Sequence, residues 1–160
     1  MVENNKYCAI CVNDMHLVVM LVPYIERELE RGEKIVTILE KSLKDDVDTL
    51  TKKVNLGKSK KAKIKRINWN ENTLTDEEIY NIKDKTVLIK GSYDFINKMN
   101  RSLNGDVKKV INCFQLEIFE DNSREILQGH DFILNTVGCK KISDMFHADW
   151  QKNSILTKQF

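Results

Sequence analysis

The feature that most constrains this chain is a repeated alternation. Short runs rich in β-branched residues are each followed, after a few polar residues, by a stretch whose apolar residues return every three or four positions. Tyr7 to Val12 is the first run, and Asp14 then opens a stretch with Leu17, Met20, Leu21, Tyr24 and Leu29 at helical spacing. Pro23 lies inside that helix and should bend it, because it removes a ladder donor; Gly32 supplies the permissive residue that ends it. Lys34 to Leu39 follows as a second strand. Ser42, with Asp45 in the reciprocal position, is placed to cap a helix carrying Leu43, Val47, Leu50 and Val54 on one face. Residues 62 to 67 (AKIKRI) alternate apolar and basic, which predicts a half-exposed or edge strand.

Thr75 and Glu78 form a capping-box pattern for a short helix with Ile79 and Ile82, and Thr86 to Lys90 reads as a buried strand. Ser92 opens a helix with Phe95, Met99 and Leu103, stopped at Gly105; Val107 to Asn112 is the next strand. Residues 114 to 128 are mostly helical with a break near Asp121 and Asn122, ending at Gly129. Phe132 to Val137 is a sixth strand, and the tail from Ile142 offers Met145, Phe146 and Trp150 for packing.

Strands alternating with helices over short connections predict an α/β fold: three layers, with a mostly parallel sheet of about six strands covered by helices on both faces. In such sheets ligands bind at the carboxyl ends of the strands. The segments to inspect are therefore 12 to 16, 39 to 42, 67 to 73, 90 to 93, 112 to 116 and 135 to 139. A length of 160 residues suits one domain over 1–160, with a core of about 6–137 and a C-terminal extension over 138–160. The 41% hydrophobic and 31% charged fractions exclude a disordered chain, and a formal net charge of +2 is too small for a general polyanion binder. Met1 to Lys6 is polar and acidic, without the basic start and apolar core of a secretory signal, and the most apolar stretch is too short to span a bilayer. A cytoplasmic protein without membrane contact is expected, and its four cysteines should be thiols.

The first strand-to-helix turn, Val12 to His16, occupies the place of a phosphate loop yet holds neither glycine nor lysine. All six glycines (32, 57, 91, 105, 129 and 138) fall at element ends or loops, and neither GxGxxG nor GxxxxGK[ST] occurs. Cys8 and Cys11 have C-x-x-C spacing, but three residues apart in a strand they face opposite ways and cannot share a metal. Cys113 and Cys139, near predicted strand ends, are candidates to line a ligand or react as thiols, against a packing role. The histidines at 16, 130 and 147 show no ligand spacing, and no G-x-S-x-G or motif-placed carboxylate pair appears. No metal, cofactor or catalytic residue is expected.

Residues 52 to 66 contain eight basic residues (Lys52, Lys53, Lys58, Lys60, Lys61, Lys63, Lys65 and Arg66) and no acid. Such a run is most often a solvated surface; its alternative is an anion patch for phosphate backbones. Before Trp69 no aromatic interrupts it, which gives base stacking little support.

The stretch VPYIERELERGEKIVTILEKS, Val22 to Ser42, resembles the hydrophobic-Pro-aromatic, helix, Gly-Glu, strand block of MEDS domains, the methanogen/methylotroph, DcmR sensory domains. VINCFQLEIFEDNSREILQGHDFIL, Val110 to Leu134, is similar to the family's later strand, Cys, aromatic, helix, His segment, with Cys113, Phe114 and His130 in the matching positions. VLIKGSYDFINKMNRSL resembles the strand and helix between them, so the likeness runs in order over nearly residues 6 to 137. The family usually has a His at the start of the first strand and a Tyr near its end; this chain has Lys6 and Cys11. The resemblance implies a RecA-like or KaiC-like core without its phosphate loop, serving as a non-catalytic sensory or ligand-binding unit in signal transduction or transcriptional regulation.

A crevice lined from Asn13, Asp14, Glu40, Ser92, Tyr93, Cys113, Phe114, Gln115 and His130 is the expected site for a small molecule. About two dozen residues follow the sixth strand, too few for a kinase module, so output is expected through a separate kinase or regulator, or through self-association. Two alternatives from other classes stand beside it. One is a nucleotide-dependent RecA-like ATPase, and the other is an adaptor for nucleic acid or another anionic partner through residues 52 to 66.

Overall fold

A computed structural model describes residues 5–72, 75, 77–78, 81–103, 107–135 and 138–149, with only the backbone for 146–149. Five strands run parallel: β1 (Lys6–Cys11), β2 (Ile35–Leu39), β3 (Thr86–Lys90), β4 (Lys109–Gln115) and β5 (Phe132–Asn135). A sixth, β6 (Gly138–Lys141), returns antiparallel to β5, and the order across the sheet is β2-β3-β4-β1-β5-β6. The helices are α1 (Asp14–Glu30), α2 (Lys44–Lys53), α3 (Lys58–Arg66), α4 (Tyr93–Ser102), α5 (Leu116–Gln128) and α6 (Ile142–Asp149). This is the expected three-layer, mostly parallel α/β architecture, of RecA-like form. Among the described residues no helix is long and apolar enough to cross a membrane.

Strand parity divides the core in two. Ala9, Cys11, Leu39, Leu88, Ile111, Cys113 and Leu134 face the layer of α1, α2 and α3. Cys8, Ile10, Ile38, Val87, Ile89, Val110, Phe114 and Ile133 face the layer of α4 and α5. Cys8 and Cys11 thus lie on opposite faces, as their spacing requires. β1 and β4 hydrogen-bond side by side, but the chain leaves β1 through α1 on one face and β4 through α5 on the other. Connections that part in this way open a crevice at the strands' carboxyl ends.

Local signals explain several helix ends. Asn13 caps α1 by accepting from the His16 amide, Ser92 caps α4 by accepting from the Phe95 amide, and Gly32 takes φ +80° after α1. The Thr75 hydroxyl accepts from the Glu78 amide at 3.2 Å, as a capping box does. α5 has its expected interruption at Asn122, where φ and ψ of −134° and 26° leave the helical region. Pro23 sits within α1, which stays one helix from Asp14 to Glu30.

Four expectations need correction. Residues 62 to 67 lie mostly within α3 rather than a strand: Ile64 alone of that helix is buried, and a segment with one apolar anchor fits either period. Ser42 does not cap α2; its hydroxyl donates to the Trp69 carbonyl at 3.1 Å and accepts from the Lys44 amide. The strand begun at Val107 instead runs Lys109–Gln115. Residues 138–141, read as extension, form the sixth strand of the sheet. Ile79, Gly105, the end of the 132–137 run, Trp150 and the side chain of Phe146 lie outside the described residues, whereas Ile82 is buried and Met145 packs on the α4 and α5 layer.

The free edge of β2 is covered by the segment after α3. Asn72 donates its backbone N–H to the Leu39 carbonyl at 2.9 Å, accepts the Leu39 N–H on Oδ1 and gives its amide side chain to the Thr37 carbonyl. One side chain thereby satisfies edge groups that would otherwise invite another strand.

Candidate functional site

The β1–α1 turn is only Val12 and Asn13, because β1 ends at Cys11 and α1 begins at Asp14. Its polar groups are turned on one another. The Val12 N–H donates to Nδ1 of His16 at 2.9 Å, and the His16 N–H donates to Oδ1 of Asn13 at 2.8 Å. This reciprocal pair resembles a capping box with histidine in the glutamate's place. In the first of these bonds Nδ1 of His16 is the acceptor. Two backbone donors at the helix entrance are therefore committed internally, and the first helical residue is a carboxylate. A phosphate loop needs the reverse: several free amides and no negative charge.

Asp14 reaches sideways over the sheet. Its Oδ1 lies 3.0 Å from Nζ of Lys90, the last residue of β3, although β4 stands between those strands. The contact is an ion pair and not a well-directed hydrogen bond, since Asp14 Oδ1 has no hydrogen-bond partner. Lys90 shares the face of Leu88, so its side chain runs over its register neighbour Cys113. With 10% of that side chain exposed, the ammonium is nearly buried while Asp14 keeps 36%. Asp46, in the first turn of α2, completes the electrostatic surroundings: burial, then the charges of Asp14 and Asp45, raise its pKa against the opposing pull of Lys90.

The floor of this crevice is thiol-lined. Burial pushes Cys11 up to about 11, with Lys90 pulling the other way. Cys113, wholly buried beneath α1, is raised well above the ordinary thiol value by the same desolvation. Burial of this kind favours the thiol over the thiolate. At the neighbouring β3–α4 corner, Glu40 Oε1 accepts the Ser92 N–H at 2.8 Å, and the Glu40 N–H donates to the Lys90 carbonyl at 2.9 Å. Gly91 makes the corner possible: a Cβ there would come within 2.5 Å of Phe95 Cδ2 and 2.9 Å of Glu40 Cβ.

Asn13, Asp14, Glu40 and Ser92 are thus gathered at the carboxyl ends of β1, β2 and β3. Cys113 lies below them, and Gln115 sits at the entrance to α5 without a capping bond from its side chain. Tyr93 and Phe114 belong to the opposite face, their ring centroids 6.3 Å apart. His130 joins them on that face: its ring meets Phe114 edge-on with centroids 5.7 Å apart, so three of the expected site residues come together away from the β1–α1 turn. His130 follows α5 on the α4 and α5 face, beside Asp131, which bonds the start of β1. There Nδ1 of His130 bonds the Ile126 carbonyl at 2.6 Å and Nε2 accepts from Asn112 at 2.9 Å. Asn112 is paired reciprocally with Asn100 at 2.8 and 3.2 Å, so three polar side chains satisfy one another inside the apolar layer.

Lys90 and His16 are the site residues that sequence reasoning passed over. The signal for Lys90 was present: a lysine closing a buried strand, two positions after an inward leucine, must enter the core or the crevice. Among the described residues, no three His, Cys, Asp or Glu side chains converge to hold a metal ion. No protein-family model, curated protein or solved structure matches this chain.

Proposed function

We propose that the chain is a non-catalytic sensory or ligand-binding domain of the MEDS type, working in the cytoplasm and recognising a small polar molecule at the carboxyl ends of β1, β2 and β3. The single observation that carries this reading is the Asp14–Lys90 pair above a turn whose own donors are spent. The fold's ligand crevice is thereby supplied with fixed charge and polar groups, while the amides that would grip a triphosphate are withdrawn. The raised pKa of the nearby thiols Cys11 and Cys113, a consequence of their burial, supports a role in packing. Occupation of the crevice would be passed on through a separate kinase or regulator, or a second copy of the chain.

The test is native mass spectrometry for a co-purifying molecule, followed by thermal-shift titration of each compound identified. A native-state binder must raise the melting temperature, by mass action. Asp14→Asn and Glu40→Gln should abolish the shift, whereas Lys140→Gln, on the far edge, should leave it intact. A shift indifferent to Asp14 and Glu40 would place the ligand elsewhere and overturn the assignment.

A further inference from the structure

The eight basic residues of the 52 to 66 run are ordered by the fold in a way their sequence does not reveal. Lys52 and Lys53 end α2, where cations suit the helix dipole. The other six lie on α3, whose first turn holds Lys58, Lys60 and Lys61 and no acid, the adverse arrangement for that dipole. Among the described residues only Lys60 of the eight has a carboxylate within ion-pair distance: it pairs with Glu26 and, at 3.3 Å, Glu30 of α1. That pair and the buried Ile64, whose carbonyl accepts Nε1–H of Trp69 at 2.9 Å, fix α3 against the body.

At 100° per residue from Ile64, Ala62 and Arg66 stand outermost with the exposed Ser59 beside them. Lys58 and Lys65 flank them on one side, with the half-buried Lys61 nearer the body, and Lys63 lies on the other. The small Ser59 and Ala62 beside Arg66 let a polyanion approach closely. Lys58 to Lys65 spans about 10 Å of helix, which covers about three axial steps of one strand at roughly 3.4 Å each.

We propose that α3 is a docking surface for the phosphate backbone of duplex nucleic acid, with Lys58, Lys61 and Lys65 on phosphates of one strand and Lys63, Arg66, Lys52 and Lys53 around them. The surface favours this partner over others. A single strand would need aromatic platforms, and Trp69 is 4% exposed with its N–H already used. A membrane helix needs an apolar face, and the outward half of α3 has only Ala62. A protein partner would call for apolar or aromatic anchors among the charges. The proposal is independent of the crevice and survives its failure.

The experiment is fluorescence anisotropy of a labelled 20-base-pair DNA duplex of arbitrary sequence against the full chain, from 25 to 200 mM salt. Three phosphate contacts predict a log–log salt slope of about −2.7, or about a 40-fold loss of affinity between 50 and 200 mM. The triple variant Lys58→Gln, Lys61→Gln, Lys65→Gln should weaken binding at least tenfold at 50 mM and flatten the slope. A charge-matched control, Lys34→Gln, Lys140→Gln, Lys141→Gln, should stay within about twofold of the parent. Five of the six positions are exposed and Lys61 is half-buried, and unchanged melting temperatures will show that both variants fold; the three single variants of the first set replace the triple should it unfold. Absence of saturable binding at 25 mM salt, or equal loss in the control, would overturn the proposal. So would tighter binding to phosphatidylserine vesicles or to polyglutamate than to the duplex.

Discussion

An ammonium held below the protein surface must be answered by charge, and Lys90 has Asp14. Removing one partner of such a pair is worse than removing both, because the survivor keeps its desolvation cost without its compensation. Asp14→Ala should therefore destabilise by about 1–3 kcal/mol, a range discounted from that of fully buried pairs because Asp14 is partly solvated. Lys90→Met, which keeps the aliphatic stem, should cost less, and the double variant should recover part of the Asp14→Ala loss. Urea unfolding of the four proteins measures the coupling, and strict additivity would show that the two charges do not interact.

His130 makes a separate prediction. Burial lowers its pKa, with Lys6 adding to the effect, while its bond to the Ile126 carbonyl and the Asp131 charge resist. The folded state prefers the neutral ring, so this stability is complete above the unfolded value of about 6.5 and is lost as pH falls through it towards the folded value. Glu28, which burial pushes up and Lys109, Tyr24 and Arg31 together more than pull back down, contributes its own loss only below about 4.5. Stability measured from pH 7.5 to 5 should decline, and His130→Gln should flatten that decline; an equal slope in the variant would contradict the neutral assignment. The pairing of Cys113, Phe114 and His130 in sequence suggested one site, yet strand parity sends Cys113 and Phe114 to opposite faces. Alternation alone could have separated them; the His130–Asn112 contact, between residues 18 apart, could not be read locally.

Among the elements, α3 shows where sequence reading fails and why. Its basic residues alternate with Ala62 and Ile64 as an edge strand's would, and only the packing of Ile64 and Lys60 against α1 decides for the helix. Ile64→Ala should cost about 2–4 kcal/mol, with loss of amide exchange protection across 58 to 66; protection retained there would mean another anchor. The β3–α4 corner makes a steric prediction. Gly91→Ala forces the Phe95 ring or Glu40 aside, at about 1–3 kcal/mol by chemical denaturation. Two helix ends were legible, Ser92 and Gly32, since each acts within four residues of itself, whereas Ser42 carries the same signal and does not cap α2. β6 was illegible because Gly-Cys-Lys-Lys carries no apolar alternation and is a strand only by pairing with β5.

For the whole molecule, the alternating pattern of runs and amphipathic stretches sufficed for a three-layer parallel fold, because parallel neighbours require crossovers and the crossovers are those stretches. The strand order was beyond it. Placing β4 between β1 and β3 is a long-range choice, and it is this choice that sends Lys90 over Cys113 to Asp14. The lack of phosphate-loop glycines was legible from the start, whereas the mutual capping of Val12, Asn13 and His16 required coordinates. The most direct measurement is calorimetric titration of the chain with ATP and Mg²⁺, paired with an assay for released phosphate. The account predicts no saturable heat and no phosphate above the buffer rate; saturable binding with turnover, abolished by substitutions at the β1–α1 turn, would contradict it.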